Sequence, residues 1–154
     1  MALHKPDLSP RELEVLTRAA TGRTNQAIAE AVKLLLAAGA DGKPQVIEER
    51  RFSVPTQPEG CVADEARGRL YLGEEGAGVW RFDLGAGPAK GELIAKAPSE
   101  MLTPDVEGLA LIEDGAGAWL IASSQGDSAF AVWKVDGAEP QYRGRFSVAE
   151  TGGI

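Results

Sequence analysis

Glu59-Gly60 and Glu107-Gly108 repeat a short acidic motif at an interval of 48 residues, and Glu75 and Asp105 stand near the same two places in the pattern. Carboxylates on loops and strand ends are hard oxygen donors, the ligand type that Ca2+ takes several at a time in loose geometry. A simpler reading makes Glu-Gly a turn pair with a solvated side chain, and the repeat alone leaves both open. Scarcity narrows the remaining chemistry. The 154 residues include one cysteine, Cys61, and one histidine, His4. That excludes an internal disulfide framework, Cys-cluster zinc sites and His metal triads, along with most His-dependent acid–base catalysis. Carboxylates, hydroxyls, water and a hard metal ion are what remain.

The elements that would carry these acids are themselves repeated. Arg51-Phe52-Ser53-Val54 returns as Arg145-Phe146-Ser147-Val148, and Val79-Trp80-Arg81-Phe82 is matched by Val132-Trp133-Lys134-Val135. Alternating apolar residues broken by glycine predict strands over 60–64, 69–74, 78–83 and 92–96, then over 108–112, 118–123, 129–135 and 141–148. Four short strands in a unit of about 48 residues are the signature of a β-propeller blade. Equivalent residues just before the innermost strands then meet at the mouth of a central channel, which brings Glu59 and Glu107 together. Trp80 and Trp133 are expected between blades, and Cys61 as a buried small hydrophobe. Two blades cannot close a ring, so a second copy, a partner or further blades would have to cover the open faces.

The stretches QPEGCVADEARGRLYLGEEGAGVWRF and LTPDVEGLALIEDGAGAWLIASSQGDSAFAVWKV resemble two consecutive parts of the β-propeller phytases, over about residues 46–154. The resemblance implies a mainly β chain supplying about two four-stranded blades of a six-bladed fold, and a calcium-dependent hydrolase of phytate. It makes Glu59, Glu75 and Glu107 calcium-site carboxylates, with Asp105 as a further ligand, acting through bound calcium and an activated water. Phytate or another phosphomonoester is the implied substrate. Departures accompany it: Gly76 replaces the acid that usually follows Gly-Glu-Glu, and the family's Asp-rich segment and early-blade phosphate ligands have no counterpart.

Charge divides the chain into an N-terminal segment, 1–43, of net +1 and a remainder, 44–154, of net −8. Ser9-Pro10-Arg11-Glu12 reads as a capped helix start, and apolar spacing through residue 37 predicts a helical hairpin. DLSPRELEVLTRAATGRTNQAIAEAV, residues 7–32, resembles the opening of a LuxR-type helix-turn-helix domain without its recognition helix. The missing base-reading helix and the overall charge of −7 argue against a DNA-binding regulator, and acidity disfavours an anionic membrane surface. No export signal is visible at residues 1–10, and no apolar run reaches transmembrane length. The family's members are typically secreted or periplasmic, so localisation stays open. The alternative to an enzyme is an inactive propeller piece acting as an assembly module, as a homo-oligomer or with the missing blades.

Overall fold

The computed structural model describes residues 15–20, 29–38, 43–85 and 87–148. Among them the chain forms three antiparallel sheets. The first holds β1 (Val15–Ala20), β2 (Ala29–Ala38) and β3 (Pro44–Val54) in that order. The second is a four-stranded meander of β4 (Pro58–Asp64), β5 (Arg69–Glu74), β6 (Gly78–Asp83) and β7 (Gly91–Lys96). The third repeats it with β8 (Val106–Asp114), β9 (Gly117–Ser124), β10 (Ala129–Lys134) and β11 (Gln141–Phe146). These are the two four-stranded blades that the repeat predicts.

The second sheet is apolar on both faces, as a sheet packed between two neighbours must be. Leu70, Leu72 and Phe82 join Phe52 and Val54 of β3 in one cluster, with the rings of Phe52 and Phe82 meeting edge to face at 5.1 Å. Tyr71, Val79 and Ala95 point the other way, into a cluster with Ala118, Leu120, Ala131 and Trp133 of the third sheet. Alternation along β5 therefore serves two cores at once. Trp133 is 2% exposed at the second of these interfaces; burying a side chain of this size contributes on the order of 3 kcal/mol. Trp80 packs against the first cluster, so both tryptophans lie between sheets as expected. Each also marks a register break with the outer strand, between Val79 and Trp80 and between Val132 and Trp133. Cys61 is half-buried against the same cluster as Trp80 and forms no disulfide.

The two copies of the Arg-Phe-Ser-Val motif differ in what covers them. Phe52 and Val54 are 0% and 1% exposed beneath the second sheet, whereas Phe146 and Val148 are 45% and 68% exposed. Phe146 stacks on its cross-strand neighbour Phe130, with ring centroids 5.2 Å apart. The outer face of the third sheet thus carries the apolar residues that the inner sheets bury.

The N-terminal segment departs from expectation where it is described. A helical hairpin was predicted through residue 37, but Val15–Ala20 and Ala29–Ala38 are strands. β2 pairs with β3 from Ala29↔Val54 to Ala38↔Pro44. The apolar run Leu34-Leu35-Leu36 satisfies either period, and an open antiparallel edge offered by β3 supplies ladder bonds that a lone helix lacks. Residues 1–14 and 21–28, including the Ser9 cap, lie outside the described residues. Among the described residues no helix is long and apolar enough to cross a membrane.

Candidate functional site

The two Glu-Gly pairs are bulges in the innermost strands, not turns. On β4 the ladder passes from Pro58↔Glu74 to Cys61↔Leu72, so Glu59 and Gly60 together oppose Gly73. On β8 it passes from Val106↔Ser124 to Leu109↔Ala122, so Glu107 and Gly108 oppose Ser123. A bulge of this kind inserts one extra residue, bends the strand and re-aims the side chain it carries. The same irregularity at the same place in both units presents the two glutamates in the same way.

The inner strands approach closely at this point. A side-chain carbon on Gly60 would lie 2.8 Å from the Leu109 nitrogen and 2.9 Å from the Gly108 Cα, inside contact distance. The backbones are joined as well, because the Val106 amide donates to the Glu75 carbonyl at 3.0 Å. The Glu75 amide in turn donates to the Gln57 carbonyl at 3.0 Å. Through its N–H and its C=O, the Glu75 backbone therefore ties the approach to β4 to the start of β8.

Glu59, Glu75, Asp105 and Glu107 are all half-buried around this junction. Burial first, then the charges of Asp105, Glu59 and Glu107, push the Glu75 carboxyl above the ordinary glutamate range. Asp105, Glu59 and Glu107 thus lie within the electrostatic neighbourhood of Glu75. They are not packed as a closed ligand shell: among the described residues no three Asp, Glu, Cys or His side chains are gathered tightly enough to hold a metal ion. Carboxylate oxygens are the hard donors that calcium takes, six to eight at a time. Glu59 also accepts a hydrogen bond from the Gln57 side-chain amide.

The two glutamates of Gly-Glu-Glu have different fates. Glu74 continues the Leu70 and Leu72 face of β5 and is fully buried, whereas Glu75 lies at the mouth. The Glu74 carboxylate accepts from the amide and hydroxyl of Thr56 and, at 2.7 Å, from the Trp80 indole. A buried carboxylate needs such donors to remain charged. Ser124, Asp127 and Arg145 form a comparable network in the next unit. Sequence reading passed over these residues, although a threonine precedes the bulge glutamate by three residues in one unit and by four in the other.

A second constellation, along β4 and the turn that follows it, proves structural. Cys61 and Arg67 have the Cys-x5-Arg spacing of a thiol phosphatase loop. Cys61 lies within β4, however, and the Arg67 guanidinium is engaged by Asp64 at 3.0 Å and Glu113 at 2.6 Å.

Residues 30–154 match the family described as Phytase, a range that takes in β2 and β3 as well as both complete sheets. Over 104 residues the chain is 36% identical to a 3-phytase of Bacillus subtilis (strain 168), covering 66% of this chain and 27% of that protein. The chain thus spans about a quarter of that relative's length. A shorter match, residues 6–35, is to the bacterial regulatory proteins of the luxR family, and lies largely outside the described residues. The phytase match covers most of the chain, including every strand of both four-stranded sheets, and so the chain belongs to the phytase family.

Proposed function

We propose that this chain contributes the carboxylate mouth of a calcium-dependent phosphomonoester hydrolase acting on phytate or a similarly anionic ester. The observation that carries the reading is the pair of equivalent bulges that turn Glu59 and Glu107 toward the neighbourhood of Glu75 and Asp105. Four acids in one place repel a phosphate ester, so substrate can approach only when a cation offsets them. Glu59, Glu75, Asp105 and Glu107 are the residues that would hold it. The chemistry calcium supplies when bound is neutralisation of phosphate charge and a lowered pKa for water. The charges that raise the Glu75 carboxyl, those of Asp105, Glu59 and Glu107, are the ones a bound cation would offset. The B. subtilis relative is a 3-phytase, which supports phytate as the substrate to test first. Phosphate release from phytate by the full chain, with and without calcium and with Glu107→Gln, tests the reading. Calcium-independent release, or release unaffected by the substitution, contradicts it.

A second reading, assembly without catalysis, is favoured by the exposed Phe146 and Val148 face alone. In it the third sheet packs on another sheet, as β3 packs on the second. Solution mass distinguishes the two states: a monomer for wild type excludes self-assembly, whereas an oligomer that Phe146→Asp dissolves supports it.

A further inference from the structure

Bulges are places where a strand can slip, and like charges at a mouth push one another apart. Something must hold the two acidic stretches in register. We propose that Thr56 and Thr103 are a duplicated positioning pair, each tying the stretch that leads to a mouth glutamate to a buried polar group at the end of its own unit's second strand. The inference rests on the calcium reading for its purpose, and on geometry alone for its existence.

In the first unit both donors of Thr56, amide and hydroxyl, converge on one oxygen of Glu74, whose other oxygen is held by Trp80 at 2.7 Å. Glu74 is 0% exposed. In the second unit the Thr103 amide donates to the Ser124 hydroxyl at 2.8 Å, and the Thr103 hydroxyl donates to Asp127 at 3.0 Å. Ser124, also 0% exposed, relays to Asp127 at 2.7 Å, and Arg145 neutralises that carboxylate. A parallel backbone bond accompanies each clamp: Glu75 amide to Gln57 carbonyl at 3.0 Å, and Gln125 amide to Asp105 carbonyl at 2.9 Å. Gly126 allows the second approach, since a side-chain carbon there would stand 2.9 Å from the Thr103 methyl. Different acceptors, a glutamate in one unit and a serine–aspartate pair in the other, perform the same task at the same place. Thr56 and Thr103 touch no substrate in this scheme; they act through Glu59, Asp105 and Glu107.

The test uses the full chain with Thr56→Val, Thr103→Val and the conservative Thr56→Ser and Thr103→Ser. Hydrogen exchange without calcium reads the clamp directly. The valine variants are expected to speed exchange of the Glu75 and Gln125 amides, respectively, about tenfold relative to the Leu72 and Leu120 amides, and the serine variants to restore protection. Calorimetric titration with calcium chloride reads the purpose: each valine variant should weaken binding about tenfold, the usual scale for residues that orient metal ligands, with rescue by serine. Unchanged exchange at Glu75 and Gln125 overturns the clamp. Faster exchange with unaltered calcium affinity overturns its positioning role. Absence of calcium uptake by the wild type sinks the calcium reading, while the exchange arm still decides the clamp.

Discussion

Gly60 lies against the backbone of Glu107 and its neighbours, where any side chain would collide with Gly108 and Leu109. Both residues sit in bulges of innermost strands, so this approach sets the separation of the two acidic stretches. The colliding atoms are backbone, which cannot rotate away. Gly60→Ala is therefore expected to lower stability by about 1–3 kcal/mol, the usual range for overpacking a tight contact. It should weaken calcium uptake as well, because β8 must withdraw from β4. Denaturant titration and calorimetry on the same variant check both halves of the prediction.

Glu75 gives a pH dependence of definite sign. Its carboxyl is raised by burial and by Asp105, Glu59 and Glu107, so the folded chain holds the proton more tightly than the unfolded chain. The contribution to stability is complete below the ordinary glutamate value, about 4.3, and is lost as pH rises through the higher folded-state value. Without calcium, Glu75→Gln should raise the thermal midpoint at neutral pH and lose that advantage in acid. With saturating calcium the order should reverse, since the glutamine cannot serve as an anionic ligand.

Asp127 should behave in the opposite way. The Ser124 hydroxyl, then Arg145 and Thr103, hold its carboxyl below the usual aspartate range. Its contribution is present above the ordinary value, about 3.9, and is lost as pH falls through the lower folded-state value. Asp127→Asn should flatten the acid limb of a midpoint-against-pH curve while lowering the midpoint at neutral pH. Melts at a series of pH values would show it.

Arg69 latches the second sheet to the third at the end away from the mouth. Its guanidinium donates to the carbonyls of Val135 at 3.0 Å and Gly137 at 2.9 Å, and Arg81 adds a bond to the Ala138 carbonyl at 2.7 Å. Arg69→Ala leaves two carbonyls without these donors and should reduce stability by about 1–3 kcal/mol. Because the latch is distant from the acids, calcium affinity should fall less than in Gly60→Ala. Parallel denaturation and calcium titrations would separate the two effects.

The strands of both complete sheets were legible because alternation, glycine punctuation and an internal repeat all agree over 58–146. The equivalence of Glu59 and Glu107 was legible for the same reason: repetition puts them in corresponding places, and both prove to be bulge residues. Their bulges were not, since a bulge is visible only against a partner strand. Nor was the division of labour between Glu74 and Glu75, although period-two alternation with Leu70 and Leu72 places Glu74 on a buried face. The threonine clamps join residues 18 to 24 positions apart and exist only after the meander closes. β2 pairs with β3 where the apolar spacing predicts a helix, since Leu34-Leu35-Leu36 fits either period until β3 is seen beside it. Partners fix register, and at β2 the element type as well.

The central claim is that Glu59, Glu75, Asp105 and Glu107 act together as a cation-binding mouth. Calorimetric titration of the full chain with calcium chloride, repeated on Glu59→Gln, Glu75→Gln and Glu107→Gln, tests it most directly. Saturable binding at or below millimolar calcium, weakened about tenfold or more by each single substitution, is the predicted result. No uptake at millimolar calcium, or uptake that all three variants retain unchanged, would contradict the account.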